Sequence, residues 1–464
     1  MYRIITLLTL LICSSISTWA QGEIVGQWNG TLEVQGIKLR LVFNVAKTQN
    51  GYETTLDSPD QGAKDIPFTN TIFENSKVKF EIPQVIEYTG ELQDGKIVGT
   101  FKQSGLSIPL TLEKNISGED IIKRPQEPKE PFPYHSENIT FRNEKANITL
   151  AGTLTLPEKT GQFPAVILIS GSGPQDRNSE ILGHKPFLLW ADYLTRNGIA
   201  VLRFDDRGFA LSQGNFSTST THDFATDVAS AVEYLKTKKE INSKKIGLIG
   251  HSEGGIIAPI VAASHPKDIN FMVLLAGSGI QGDQLLLLQQ QLIARQSGVS
   301  EEEIKKNFEK HTKIFERMNN IQNEVQLKTE LSQIISDYIS EENISQGMTK
   351  EEVVQRQLNI YISPWMLNFV RYNPAPMLEK VKCPVLAING DKDLQVPSKE
   401  NLAAIENALK KGKNKKVTLI EYPNLNHLFQ EAETGLPQEY SVIEQTISPK
   451  VLEDVNNWIK NQTK

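Results

Sequence analysis

The chain reads as an α/β protein with a mostly parallel sheet and a helical insertion, preceded by a small all-β domain. Three observations predict this. Residues 24–113 alternate apolar and polar side chains with no amphipathic helix among them. From 137 onward, short and nearly continuous apolar strands alternate with helical segments. Roughly 279–380 carry helical periodicity and no strand texture. At 464 residues the chain is long enough for more than one domain, and 39% hydrophobic with 22% charged residues leaves material for a large core.

In chain order, the first segment is a processing signal. Tyr2-Arg3 is a short basic start, 4–13 is apolar, and Thr18-Trp19-Ala20 offers a small-residue cleavage site before Gln21. The reading is a signal peptide over 1–20 and a secreted or periplasmic protein. Ile12 ahead of Cys13 argues against a lipid anchor there. Losing the leader removes Arg3 and no acid, so the formal charge of −6 becomes −7. A mildly acidic chain without a basic block argues against nucleic acid as a partner. The leader also takes one of two cysteines, leaving Cys383 with no partner for a disulfide. No later run is long and apolar enough to span a membrane.

Residues 21–115 form the all-β domain, with strands expected at 37–45, 77–82, 96–101 and 108–113. No catalytic cluster falls there; the domain is expected to support the rest or to bind a partner, a glycan or the cell envelope. A linker over 116–136 follows. Its stretch KRPQEPKEPFPY (123–134) holds four prolines among charges and favours an extended spacer. The catalytic domain, 137–464, opens with a hairpin. Strands are then expected at 165–170, 199–204, 245–250, 271–277, 383–390 and 415–423, with helices near 186–196, 224–238, after 252 and over 449–460. Within the insertion, SEEEIKKNFEKHTKIFERM (300–318) is a helix with Ser300 as N-cap and Glu303 three residues on.

Chemistry gathers at the strand ends. KIGLIGHSEGG (245–255) runs from a strand into Gly-x-Ser-x-Gly and then a helix, the pattern of a nucleophile elbow at Ser252. Gly250 and Gly254 remove the side chains that would collide at so tight a turn. The N–H of Glu253, next in the chain, is placed to stabilise an oxyanion. A serine nucleophile needs a base and a carboxylate to orient it, supplied after later strands. NGDKDLQVP offers Asp391 and Asp393, and PNLNHLF offers His427. Asp391 follows the Gly390 turn directly and is suited to shaping it, so Asp393 is favoured.

The loop SGSGPQDRN (170–178) is expected to give the second oxyanion donor, the N–H of Ser172, with Gly173 in reserve. Asp205, Asp206 and Arg207 in FDDRGFALS read as a charge-paired loop bracing the elbow. His251 is expected to pack or bond locally. His135, His222, His265 and His311 show no partners, and no histidine pair has metal-ligand spacing, so no metal and no cofactor are expected. Pro259, inside the helix after Ser252, should remove one backbone bond and bend it.

GHSEGG, SGSGPQDR, FDDRG, NGDKDLQVP and NLNH, in this order, resemble the α/β-hydrolase superfamily. The likeness is nearest to secreted bacterial esterases and serine-aminopeptidase-like hydrolases with an N-terminal β-domain, and it covers about 137–464. It implies an eight-stranded type of sheet, a triad of Ser252, Asp393 and His427, and a cap at about 279–380. It also implies that 363–374 returns from the cap beside the triad, with Trp365 and Phe369 lining an acyl pocket. Many lipases carry a His-Gly pair at the oxyanion loop; here Ser170 takes the histidine's place. The activity so implied is hydrolysis of small to medium acyl esters through an acyl-enzyme on Ser252. An aminopeptidase-like activity is the alternative, and a binding protein on an inactive hydrolase fold is the non-enzymatic one.

Overall fold

The computed structural model of the chain describes residues 24–464 apart from 35–36, 50, 59–62, 84, 104–105, 115–122 and 340–348. The expected leader with Cys13, and the first part of the expected linker, lie outside the described residues. The chain divides into two compact units, Met1–Gly118 and Glu119–Lys464.

In the first unit, strands β1 (Gly26–Val34), β2 (Ile37–Thr48), β3 (Gly51–Ser58), β4 (Ala63–Pro67), β5 (Asn70–Glu74), β6 (Lys77–Ile82), β7 (Ile86–Gln93), β8 (Lys96–Gln103) and β9 (Leu106–Lys114) form one antiparallel sheet. Its order is β4-β3-β2-β1-β9-β8-β7-β6-β5. The period of two puts Val78 and Phe80 of β6, and Ile86 and Tyr88 of β7, on one buried face. Phe68 N–H donates to Thr54 O (2.9 Å) and Thr71 Oγ1–H to Thr54 Oγ1 (3.0 Å), so the sheet curls into a half-barrel. Aromatic rings fill the inside. Phe43 lies 5.4 Å from Phe80 and 5.3 Å from Tyr88, and the buried Tyr88 hydroxyl reaches the carbonyls of Ile97 and Leu110. Strands β1, β3, β4, β5 and β7 escaped the sequence reading because threonine, glycine and acids interrupt their alternation.

The second unit holds β10 (His135–Asn143), β11 (Ile148–Leu156), β12 (Phe163–Ile169), β13 (Ala200–Phe204), β14 (Ile241–His251), β15 (Phe271–Leu275), β16 (Val385–Gly390) and β17 (Val417–Tyr422). The sheet order is β10-β11-β13-β12-β14-β15-β16-β17. β11 is antiparallel to both neighbours, and the strands from β13 to β17 run parallel. Strands β13, β15 and β16 are buried along their whole length, which is why they read as nearly continuous apolar runs, broken only by Arg203 and Asn389.

The helices are α1 (Pro186–Arg196), α2 (Thr221–Lys236), α3 (Gly254–Ser264), α4 (Gly282–Gln296), α5 (Glu301–Asn320), α6 (Glu324–Tyr338), α7 (Lys350–Tyr361), α8 (Pro364–Arg371), α9 (Ala375–Leu378), α10 (Ser398–Lys411) and α11 (Pro449–Gln462). Helices α2, α3 and α10 pack their apolar sides into one core, and α1 and α11 into a second, giving the sheet two helical layers. None of the described helices is long and apolar enough to cross a membrane.

Among the described residues, six helices, α4 to α9, lie between β15 and β16. Much of this insertion has a core of its own around Ile314, Phe315, Met318, Leu331, Ile335 and Leu358. Ser300 accepts the Glu303 N–H at 3.3 Å and starts α5 where expected. Pro259 sits wholly buried in the middle of α3, which runs on to Ser264.

Chain order sets where a site can form. From β12 the chain passes through α1 to β13 on one side, then through α2 to β14 on the other side of β12. The connections diverge there, and a crevice opens at the C-terminal ends of β12 and β14.

The aromatic interior of the half-barrel gives a direct test. Phe80→Ala should cost the first unit about 3–5 kcal/mol, because it removes the ring on which Phe43, Phe68 and Tyr88 pack. Limited proteolysis should then cut within 24–114 much faster than in wild type. Unchanged cleavage there would show that the ring carries no such weight.

Candidate active site

Ser252 follows β14 with φ +55°, a left-handed conformation that costs a non-glycine residue about 1–3 kcal/mol. The neighbouring glycines follow from close approach. A Cβ on Gly250 would lie 2.0 Å from Gly254 O, and one on Gly254 would lie 2.3 Å from Ile169 O of β12. The strained residue is pinned at both ends: its N–H donates to Leu275 O and its carbonyl accepts from Gly255 N–H, both at 2.9 Å. Helix α3 starts at once, with Glu253 as its N-cap. The N–H groups of its first turn have no carbonyl four residues back to bond.

Asp393 and His427 come from the loops after β16 and β17. Asp393 Oδ1 accepts the N–H groups of Gln395 and Val396, both at 2.8 Å, and Oδ2 meets His427 Nδ1 at 2.8 Å. Both residues are buried, at 3% and 4% exposure. A carboxylate facing Nδ1 places the imidazole proton there and leaves Nε2 as the lone-pair nitrogen. Asp391 accepts from Asn424 N–H (2.6 Å) and shapes the turn instead.

His251 packs and bonds beside the elbow as expected: its ring and that of His427 lie 4.7 Å apart, and its Nε2–H donates to the His427 carbonyl at 2.9 Å. Burial, helped by the neighbouring His427, pushes its pKa down to about 3, so it stays neutral. Asn426, also buried, accepts the N–H groups of Leu428 and Gln430 (both 3.0 Å) and stiffens the turn around His427.

The Gly-rich loop lies against the elbow; a Cβ on Gly171 would sit 3.2 Å from Ser252 Cβ. Two acids after β13 hold this loop. Asp206 accepts from Ser170 Oγ–H (2.6 Å) and Gln175 N–H (2.9 Å). Asp205 takes the Arg177 guanidinium at 2.9 and 2.6 Å and its N–H at 2.8 Å. Arg207 forks onto Asp227 of α2 at 2.7 and 2.8 Å. The Asp205–Arg207 segment is charge-paired as expected, but its acids brace the Gly-rich loop rather than the elbow. The sequence hid this because Arg177 and Asp227 are distant in the chain.

The Glu253 carboxylate is buried and accepts from Thr221 Oγ1–H (2.6 Å) and Trp365 Nε1–H (3.0 and 2.9 Å to its two oxygens). Helix α8 of the insertion is thereby fastened to the residue after Ser252. Burial raises the acid above its ordinary range, against the bonds from Thr221, Trp365 and Ser172.

A cavity of about 240 Å³ brings together Ser172, Ser252, His427, Trp365 and Phe369. Trp365 and Phe369 stack with ring centroids 5.0 Å apart. Leu285 and Leu286 of α4 extend the apolar wall, while Gln175, Gln289, Gln395 and Tyr440 supply neutral polar groups. No Asp or Glu is among the described residues lining it. Gly173, the reserve donor, lies in the same loop at φ +89° but is not in the lining. A larger groove of about 560 Å³ beside α2 and α3 contains neither Ser252 nor His427. Tyr440 and the lining glutamines carry no sequence signal, since single polar residues on separate loops and helices repeat no pattern.

Asp206 yields a pH prediction. Its pKa is raised from 3.8 to about 7, chiefly by burial, with Glu253 and Asp227 adding to the rise and the bonds from Ser170 and Gln175 opposing it. The folded chain then holds this proton where the unfolded chain has lost it. The stabilisation is complete below the unfolded value and is lost as pH rises through the folded one. Asp206→Asn has no proton to lose and should flatten the decline in stability between about pH 4 and 7. Urea unfolding across that range checks it; parallel pH profiles for the two proteins would refute it.

Comparison with known proteins agrees with this architecture. Residues 187–433, just over half of the chain, match the family described as serine aminopeptidase, S33. The esterase EstD of Thermotoga maritima is 22% identical over 390 residues, covering 83% of this chain and 79% of that protein. The human serine hydrolase BPHL is 27% identical over 143 residues, 30% of this chain and 45% of that protein. Among solved structures, the Pyrococcus furiosus esterase Pf2001 shares 17% identity with a TM-score of 0.44, covering 75% of this chain and 100% of that one. With this match running from α1 through β17 and including the helical insertion after β15, the chain belongs to the serine aminopeptidase S33 family of α/β hydrolases.

Proposed function

We propose that this hydrolase is an exported serine carboxylesterase that forms an acyl-enzyme on Ser252. The observation carrying the proposal is the Asp393–His427 pair at 2.8 Å, with His427 and Ser252 lining one cavity at the divergence of the sheet connections. His427 Nε2 takes the Ser252 proton as Oγ bonds to the ester carbonyl carbon. The N–H groups of Ser172 and Glu253 hold the resulting oxyanion, and Asp393 stabilises the imidazolium. Collapse breaks the bond to the alcohol oxygen, which leaves with the proton from His427. Water, deprotonated by the same nitrogen, then attacks the acyl-enzyme, and the acid departs as Ser252 regains its proton.

The cavity of about 240 Å³ is smaller than the pockets of about 300–1,000 Å³ that take drug-sized ligands, which suits small to medium acyl groups lying against the stacked Trp365 and Phe369. The relation to EstD, an esterase by name, supports ester chemistry. The family description favours an aminopeptidase-like activity, which would need a carboxylate facing the substrate's free amine. The described lining offers none, and the nearby Glu253 carboxylate is engaged by Thr221 and Trp365. Export rests on the leader over 1–20. A partner, glycan or envelope component binding the first unit would use its outer face, since aromatic side chains fill the inside.

The test is turnover of chromogenic esters of increasing acyl length beside aminoacyl anilides. Ser252→Ala should lower ester turnover by about 10⁴-fold or more, and Asp393→Asn by about 10⁴-fold. The acyl-length optimum should fall among short and medium chains. Faster anilide than ester turnover would move the protein to the peptidases. A wild type no better than Ser252→Ala would leave a binding protein on a hydrolase fold.

A further inference from the structure

The stretch just before the hydrolase sheet reaches across to the far end of the chain. Arg124 donates from one terminal guanidinium nitrogen to Ile443 O and from the other to Leu182 O and Ser441 O, all at 2.9 Å. Gln126 Nε2–H donates to Ile447 O at 2.8 Å, and its Oε1 accepts the N–H groups of Thr446 (2.6 Å) and Ile447 (3.2 Å). The segment from 442 to 448 belongs to no helix or strand, so its main-chain groups lack ladder partners. Arg124 and Gln126 supply them.

This clamped segment meets the catalytic site from two directions. Tyr440 lines the cavity, and its hydroxyl accepts from Gln395 Nε2–H (2.9 Å), two residues beyond Asp393. Toward His427, Ser448 N–H donates to Phe429 O at 2.8 Å. The fully buried His184 ring lies 2.8 Å from Tyr440 O, 2.9 Å from Thr446 Oγ1 and 3.0 Å from the Gln430 amide. Gln430 in turn accepts from Asn426, the neighbour of His427, at 2.9 Å.

We propose that Arg124 and Gln126 are positioning residues for the hydrolytic site: by clamping 441–447 they place the Tyr440 wall and steady the loop that carries His427. The inference rests on the catalytic reading of Ser252, His427 and Asp393. Neither residue touches substrate, and neither belongs to the eight-stranded sheet or its helices. The proline-rich stretch is on this view a working strap as well as a spacer.

The test uses the full chain with Arg124→Ala, Arg124→Lys and Gln126→Ala, assayed well below the unfolding temperature. Arg124→Ala should lower kcat/KM by about 10- to 100-fold, the scale set by a catalytic group displaced by about 1 Å. Both parameters should move, kcat through His427 and KM through Tyr440. Arg124→Lys, with one point charge for three carbonyls, should fall between, and methylguanidinium should restore part of the Arg124→Ala activity only. Hydrogen exchange should quicken in peptides over 425–430 as well as over 440–447. Should Arg124→Ala fail to fold, Gln126→Ala, which removes no charge, carries the same comparisons.

Wild-type kcat and KM in the folded variants would overturn the proposal, as would faster exchange confined to 440–447. Ser252→Ala is measured in parallel. If it matches wild type, the catalytic reading itself has failed, and exchange over 425–430 still decides whether the strap steadies that loop.

Discussion

The catalytic end of the sheet depends on one close approach, that of helix α3 to strands β12 and β14. Backbone meets backbone there with no side chain between, since a Cβ on Gly254 would come within 2.3 Å of Ile169 O. This contact forces the left-handed turn at Ser252 and starts the helix beside it. Residues of the loops after β12, β16 and β17 line one cavity with this turn. The strain is local and moderate, and the buried strands on both sides hold it in place.

Around that turn, buried carboxylates act as organisers. Asp393 is satisfied by two backbone N–H groups before it meets His427, so its second oxygen is committed in direction. Asp205 and Asp206 divide the Gly-rich loop between them, one through Arg177 and the other through Ser170 and Gln175. Glu253 joins the elbow to α2 through Thr221 and to the insertion through Trp365. Each acid is satisfied by donors from other chain segments, and taking a charge out of water is tolerable only with such partners. The residues that make the site precise therefore outnumber those that would touch substrate.

Much of the second unit was legible in advance. Strands buried on both faces read as nearly continuous apolar runs, and helices between them keep a period near 3.6, so the rhythm from 137 onward could be parsed directly. Gly-x-Ser-x-Gly was readable because glycine is demanded there by contact. The first unit was only half legible: strands such as Asn70–Glu74 face solvent on both sides in part and alternate weakly. The packing of His251 was expected, but its partner was not legible, since the His427 carbonyl lies 176 positions away.

From the sequence alone came the α/β rhythm, the elbow, and one acid and one histidine at the ends of later strands. These follow from short-range rules, namely periodicity, turn chemistry and chain order. Tertiary structure decided which groups support them: Arg177 for Asp205, Trp365 for Glu253, His251 and Asn426 for His427, and Arg124 and Gln126 for the segment beside Tyr440. Such partnerships are hydrogen bonds between irregular segments far apart in the chain. They leave no period to read, because each depends on where two loops meet once the sheet has closed.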